Sequence, residues 1–211
     1  MFALVNKSNN SIIKMYNGRQ GVLIGDNQYP KSIFSLWSES ERNAIDIYTV
    51  EMNESKKKDE QWYINTGITY SFDGSKVTGS YGDATAKAHA DTTWTSQDKT
   101  DGLIPNGKDV GDVKVEGLKT VLIRQVKQQA ESELNKTDWY VIRKADTDEA
   151  IPSSIATHRA AVRSKQAAME TSITNASDTP ALETLYTPVN TADEGDPVVM
   201  ERPIGEIPTL D

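Results

Sequence analysis

Ile68-Thr69-Tyr70-Ser71-Phe72-Asp73-Gly74-Ser75-Lys76-Val77-Thr78-Gly79-Ser80-Tyr81 decides the reading of the first half of the chain. Aromatic and β-branched residues stand on both sides of Asp73-Gly74. They suit a pleated, half-buried surface, and the dipeptide suits a tight turn, so the stretch predicts a β-hairpin. Towards the N-terminus, Trp62-Tyr63-Ile64 is strand-like and residues 51–60, EMNESKKKDE, are polar and solvated. Before them Ser38 and Glu41 are spaced as a capping box, which satisfies two free backbone N–H groups at a helix start. This predicts a short helix from about Glu39 to Ile45 and a strand over Ile47, Tyr48 and Val50. Phe2–Val5 and Ile12–Tyr16 flank the polar stretch Asn6–Ser11 as a further hairpin, and Val22–Ile24 runs into the turn signal Gly25-Asp26-Asn27. Residues 1–95 therefore read as a β-rich domain.

Working outward the other way, Ala84–Ala90 favours neither helix nor strand. Residues 96–117, rich in Gly, Asp and Lys, read as a linker. Leu118–Asn135 places Leu118, Val121, Leu122, Val126 and Ala130 near one face and predicts a helix. Asp138–Ile142 is short and apolar. Ile151-Pro152-Ser153-Ser154 opens a second helix over Ile155–Thr171, and Asp178 caps a short third one through Leu185. These form a helical module over 118–186. Residues 174–211 hold eight Asp or Glu and one Arg. The Pro-rich stretch 187–211 has few apolar anchors for its charge, which predicts an extended acidic tail that orders only on a partner. The fold class expected is α+β: a β-rich N-terminal region, a small helical region and that tail.

Composition narrows the function classes. The 211 residues carry a net charge of −8, which opposes binding to nucleic acid and to anionic membrane surfaces. No apolar run approaches a membrane span, and MFALVNKSNN lacks the apolar core of a signal peptide. With no Cys, disulfides, thiol catalysis and Cys-based zinc sites are out. No hydrolase, zincin or phosphate-loop motif is present, and no catalytic, cofactor-binding or metal-binding residue is assigned. His89 with Asp91 offers a general base, against a simpler reading as a solvated or half-buried histidine. Asp98, Asp101, Asp109 and Asp112 do not follow the calcium-loop pattern. Lys56-Lys57-Lys58 runs into Asp59-Glu60 and is a mixed-charge loop. A carbohydrate-binding surface would need Trp62, Tyr63 and Tyr70 exposed on one sheet face.

Two stretches carry a family resemblance. Leu36–Val50, LWSESERNAIDIYTV, resembles the capped helix and I-Y-x-V strand near the N-terminus of many tailed-phage proteins. Leu134-Asn135-Lys136-Thr137-Asp138-Trp139, then Ile151-Pro152, then Arg159 and Arg163, resembles a module of phage tail and tail-fibre-assembly proteins. His158 stands where that module usually has Tyr, and Val162 where it usually has Leu. The resemblance implies a virion tail location and a multi-subunit assembly. The partners expected are other tail or fibre proteins, with no nucleic acid, no membrane and no cofactor. Trp139 is the expected apolar anchor. Arg159 and Arg163, four apart on one helix, are candidate partner-binding residues beside it, against ion pairing within the domain with Asp146, Asp148 or Glu149. The function expected is a non-enzymatic structural component of the tail. A fibre-assembly chaperone and a small cell-envelope glycan hydrolase are the alternatives.

Overall fold

The computed structural model describes residues 1–210 and resolves two compact units, Met1–Thr85 and Ala86 onward. The division falls between residues 85 and 86, where the sequence suggested 95.

The first unit runs β1 (Phe2–Asn6), β2 (Ser11–Tyr16), β3 (Val22–Ile24), β4 (Asn27–Tyr29), α1 (Ile33–Leu36), α2 (Glu39–Ala44), β5 (Ile47–Asn53), β6 (Tyr63–Ile64), β7 (Ile68–Phe72) and β8 (Val77–Tyr81). A five-stranded sheet has the order β2-β1-β5-β8-β7. All its pairings are antiparallel except β5 with β8, which is parallel and sets Val50 beside Val77. The edge strands β2 and β7 approach each other, so the sheet curls over its core. Period-2 alternation splits the apolar residues between two faces. Ala3, Val5, Tyr48, Val50, Phe72 and Val77 fill one side. Leu4 and Ile47 face the other, against Val22 and Ile33, with Phe2, Tyr16, Phe34 and Trp37 around them. Gly79 on β8 lets two side chains close over it: a β-carbon there would stand 2.8 Å from Met52 Sδ and 2.9 Å from the Tyr70 ring, and both would have to move aside.

The capping box of α2 forms. Ser38 N–H donates to Glu41 Oε2 at 2.7 Å, and Glu41 N–H donates to Ser38 Oγ at 3.3 Å. The hairpin of β7 and β8 turns on Asp73, whose Oδ1 accepts N–H bonds from Ser75 and Lys76.

The second unit follows β9 (Thr85–Ala86) with β10 (Thr92–Thr93), α3 (Ser96–Thr100), β11 (Val113–Val115), α4 (Leu118–Asn135), α5 (Asp138–Thr147), α6 (Ser153–Asn175), α7 (Thr179–Tyr186), β12 (Val189–Asn190) and β13 (Met200–Glu201). Helices α4 and α6 pack antiparallel: Lys119 at the start of α4 reaches Thr174 O, while Arg159 early in α6 reaches Leu134 O. Leu122, Val126 and Ala130 on α4 are buried, and so are Ile155, Val162, Met169 and Ile173 on α6. Their spacing of four or seven residues makes one continuous stripe on each helix. Asp178 caps α7 by accepting from Ala181 N–H at 2.8 Å.

Two expectations about this unit are corrected. Residues 96–117 are not a linker. Thr95 and Asp98 form a capping box for α3, Lys114 pairs with Asp98 at 2.6 Å, and β10 pairs with β11. Side-chain caps give this polar segment order that its composition hides. Nor is the C-terminal stretch an extended acidic tail. Val189 pairs with Glu201 and Asn190 with Met200, and Asn190 Oδ1 accepts from Val199 N–H at 3.1 Å. The chain then returns to the helices, where Ile204 is buried and donates its N–H to Leu185 O at 3.0 Å. One buried isoleucine supplies the apolar anchor the composition seemed to lack, while Asp193, Glu194 and Asp196 stay in solvent. Asp211 lies outside the described residues. The fold is broadly α+β, without the extended tail.

Candidate functional site

Leu134, Thr137, Asp138 and Arg159 meet at one end of the α4–α6 pair. Thr137 lies between α4 and α5 and is buried. Its Oγ1 donates to Leu134 O at 3.0 Å. Arg159, also buried, points Nη1 at the same corner. It donates to Leu134 O at 2.7 Å and to Thr137 Oγ1 at 2.7 Å, and it forms an ion pair with Asp138 Oδ1 at 2.8 Å. All three contacts converge on Nη1: its two N–H groups serve the two hydrogen bonds, and the charge of the guanidinium faces the carboxylate. Leu134 O, near the end of α4, also accepts from Thr137 N–H at 3.0 Å, so Arg159 adds a donor to a carbonyl that the chain already caps.

Arg159 is therefore not a partner-binding residue of this surface. It is spent on an internal clasp, and its acidic partner is Asp138, not Asp146, Asp148 or Glu149. Arg163, one turn on, is exposed. It borders a shallow groove of about 690 Å³ along α6, together with Leu134, Gln166, Glu170 and Thr171. Glu133, beside the clasp, is held below the usual carboxylate range, chiefly by its hydrogen bond with Lys136. His158 is half-buried, and its Nε2 has no hydrogen-bond partner.

The clasp fixes where α5 leaves α4, and α5 is unusual for its composition. It holds Trp139, Tyr140, Val141 and Ile142 in succession, yet buries none of its residues. The expected apolar anchor is half out of the protein: Trp139 is 50% exposed and Ile142 is 69% exposed. Residues three apart on a helix share a side, so these two form one apolar face. Arg143 closes its flank. Its guanidinium lies 4.7 Å from the centre of the Trp139 ring and 5.3 Å from that of Tyr140, and it pairs with Glu149 at 3.1 Å. Cation–π contact and ion pair hold the indole in a set orientation at the surface. Sequence reasoning missed Ile142 and Arg143, although their spacing of three and four from Trp139 was visible.

The other singled-out groups serve the fold. Asp91 does not act on His89: its carboxylate accepts from Gly117 N–H at 2.7 Å. That bond, followed by one from Thr120, holds it below the usual range. Ala88 and His89 offer their carbonyls to Leu118 and Lys119 N–H, so residues 88–91 cap α4. Asp109 pairs with Lys99, and Asp112 accepts from Asp109 N–H. Among the described residues, no group of three or more His, Asp or Glu is placed to hold a metal ion, and no helix is long and apolar enough to cross a membrane. Trp62 and Tyr63 are buried, so the aromatic sheet face a glycan-binding surface would need is not formed by them. No family model, curated protein or solved structure matches the chain.

Proposed function

We propose that the chain is a non-enzymatic structural component of a bacteriophage tail, which attaches a fibre or a neighbouring tail protein through the exposed face of α5. The observation that carries the attachment is the helix itself. Four large apolar residues in a row stand on an element with no buried side chain, and its tryptophan is braced by Arg143 in the free chain. Exposed aromatic residues with an arginine beside them have the composition of interface hot spots. A braced indole also loses little freedom on binding. Arg163 supplies an exposed cation on the nearby α6. The tail context rests on the resemblance of Leu134–Trp139, Pro152, Arg159 and Arg163 to the tail module.

Quantitative mass spectrometry of purified particles of the phage that encodes the chain tests this reading. A fixed ratio to another tail protein is expected. Absence from the particles, with co-purification on the fibre protein expressed alone, would replace it by the assembly-chaperone reading. Absence from both would overturn the tail assignment.

A further inference from the structure

Four glycines in the chain directly follow an Asn or Asp: Gly18, Gly74, Gly102 and Gly107. Such a pair is chemically exposed, because glycine has no β-carbon to keep its amide nitrogen away from the preceding side-chain carbonyl. The structure ties down three of the four. Asn17 Oδ1 accepts from Arg19 N–H at 3.0 Å, and Gly18 is packed against Phe2 and Phe34. Asp73 Oδ1 accepts from Ser75 N–H at 2.8 Å and Lys76 N–H at 2.9 Å. Asp101 Oδ1 accepts from Gln97 Nε2 at 2.8 Å.

Asn106 differs on every count. It is exposed, and neither its side-chain amide nor Gly107 N–H makes a hydrogen bond. Gly107 has φ +84° with nothing within 4 Å of where a β-carbon would stand. The turn is closed only by Lys108 N–H donating to Pro105 O at 3.1 Å. We propose that Asn106 is a site of spontaneous modification in the folded protein, with water as its only co-reactant. The backbone nitrogen of Gly107 attacks Asn106 Cγ and gives its proton to solvent. The Cγ–Nδ2 bond breaks, and the nitrogen takes up a proton and leaves as ammonia. Water then opens the resulting succinimide. Addition at Cγ yields aspartate, and addition at the backbone carbonyl yields isoaspartate, with the main chain rerouted through the side chain. Both products place a new negative charge beside Lys108. This inference does not depend on the tail assignment.

The test is storage of the full chain in mildly alkaline buffer, followed by peptide mapping with a fragmentation method that separates isoaspartate from aspartate. In the folded protein, products at 106 should appear about tenfold faster than at Asn17, a barrier difference of about 1.4 kcal/mol. In denaturant the two rates should converge, because both are Asn-Gly pairs. Asn106→Gln, whose longer side chain must close a larger ring, should abolish the fast product. Equal rates at 17 and 106 in the folded chain would overturn the proposal, as would an undiminished gap between them in denaturant.

Discussion

Arg159 and Arg163 lie four apart on α6, yet one is buried in the α4–α5 junction and the other faces solvent. Helical spacing puts both on one side. It does not say that the turn between α4 and α5 would bring three acceptors up to the first of them. Replacing Arg159 by Ala leaves Thr137 Oγ1 without its donor and Asp138 without its cation, while Leu134 O keeps its bonds from Thr137. The expected cost is about 2–3 kcal/mol in denaturant unfolding. Arg159→Lys should recover only part of it, since the shorter side chain must bring a compact, strongly hydrated ammonium to the same buried corner. Arg163→Ala should change stability by less than about 0.5 kcal/mol. Equal losses for Arg159→Ala and Arg163→Ala would contradict the clasp. A second residue-scale prediction concerns acid. Lys114, followed by Thr95, holds the Asp98 carboxyl at about 2, against an ordinary 3.8. The folded value lies below the unfolded one, so this contribution is present above pH 3.8 and is lost as the pH falls towards 2. Asp98→Asn should therefore be less stable than the parent at neutral pH. Titration by circular dichroism should show that gap closing through the same window.

At the scale of elements, the caps and the hairpin were the legible part. Ser38-x-x-Glu41, Asp178 and Asp73-Gly74 act through bonds to residues two or three away, so their spacing alone specifies them. Asp178→Ala should cost about 1 kcal/mol. The stripes of α4 and α6 were legible for a related reason, since helical periodicity encodes a buried face. Helix α5 was not legible as an exposed helix. An apolar run of four invites a buried reading, and only the tertiary arrangement leaves it outside. The same holds for the His89–Asp91 pair, whose proximity in sequence suggested chemistry while its backbone caps a helix far along the chain. Because α5 contributes no buried side chain, Trp139→Ala and Ile142→Ser should move the unfolding midpoint little. They should nonetheless abolish co-purification with the tail partner proposed above. A large loss of stability in either variant would show that these side chains belong to the core.

For the whole molecule, the boundaries of the two units were harder to read than their class. Residues 96–117 and 187–210 are polar, and composition alone gives such segments to solvent. Short side-chain caps and a single buried isoleucine order them. Ile204→Asp should free the C-terminal stretch, and limited proteolysis should then cut after Leu185 while leaving the parent intact there. Equal cutting of parent and variant would mean that Ile204 does not anchor the segment. The central claim is that the clasp holds α5 outward as an attachment face. Hydroxyl-radical footprinting of Trp139 tests it most directly, comparing the free chain with the chain in purified tailed particles. The expected result is a reactive indole in the free chain and a protected one in the particle, with Arg159→Ala losing incorporation. A Trp139 equally reactive in both states would contradict the account.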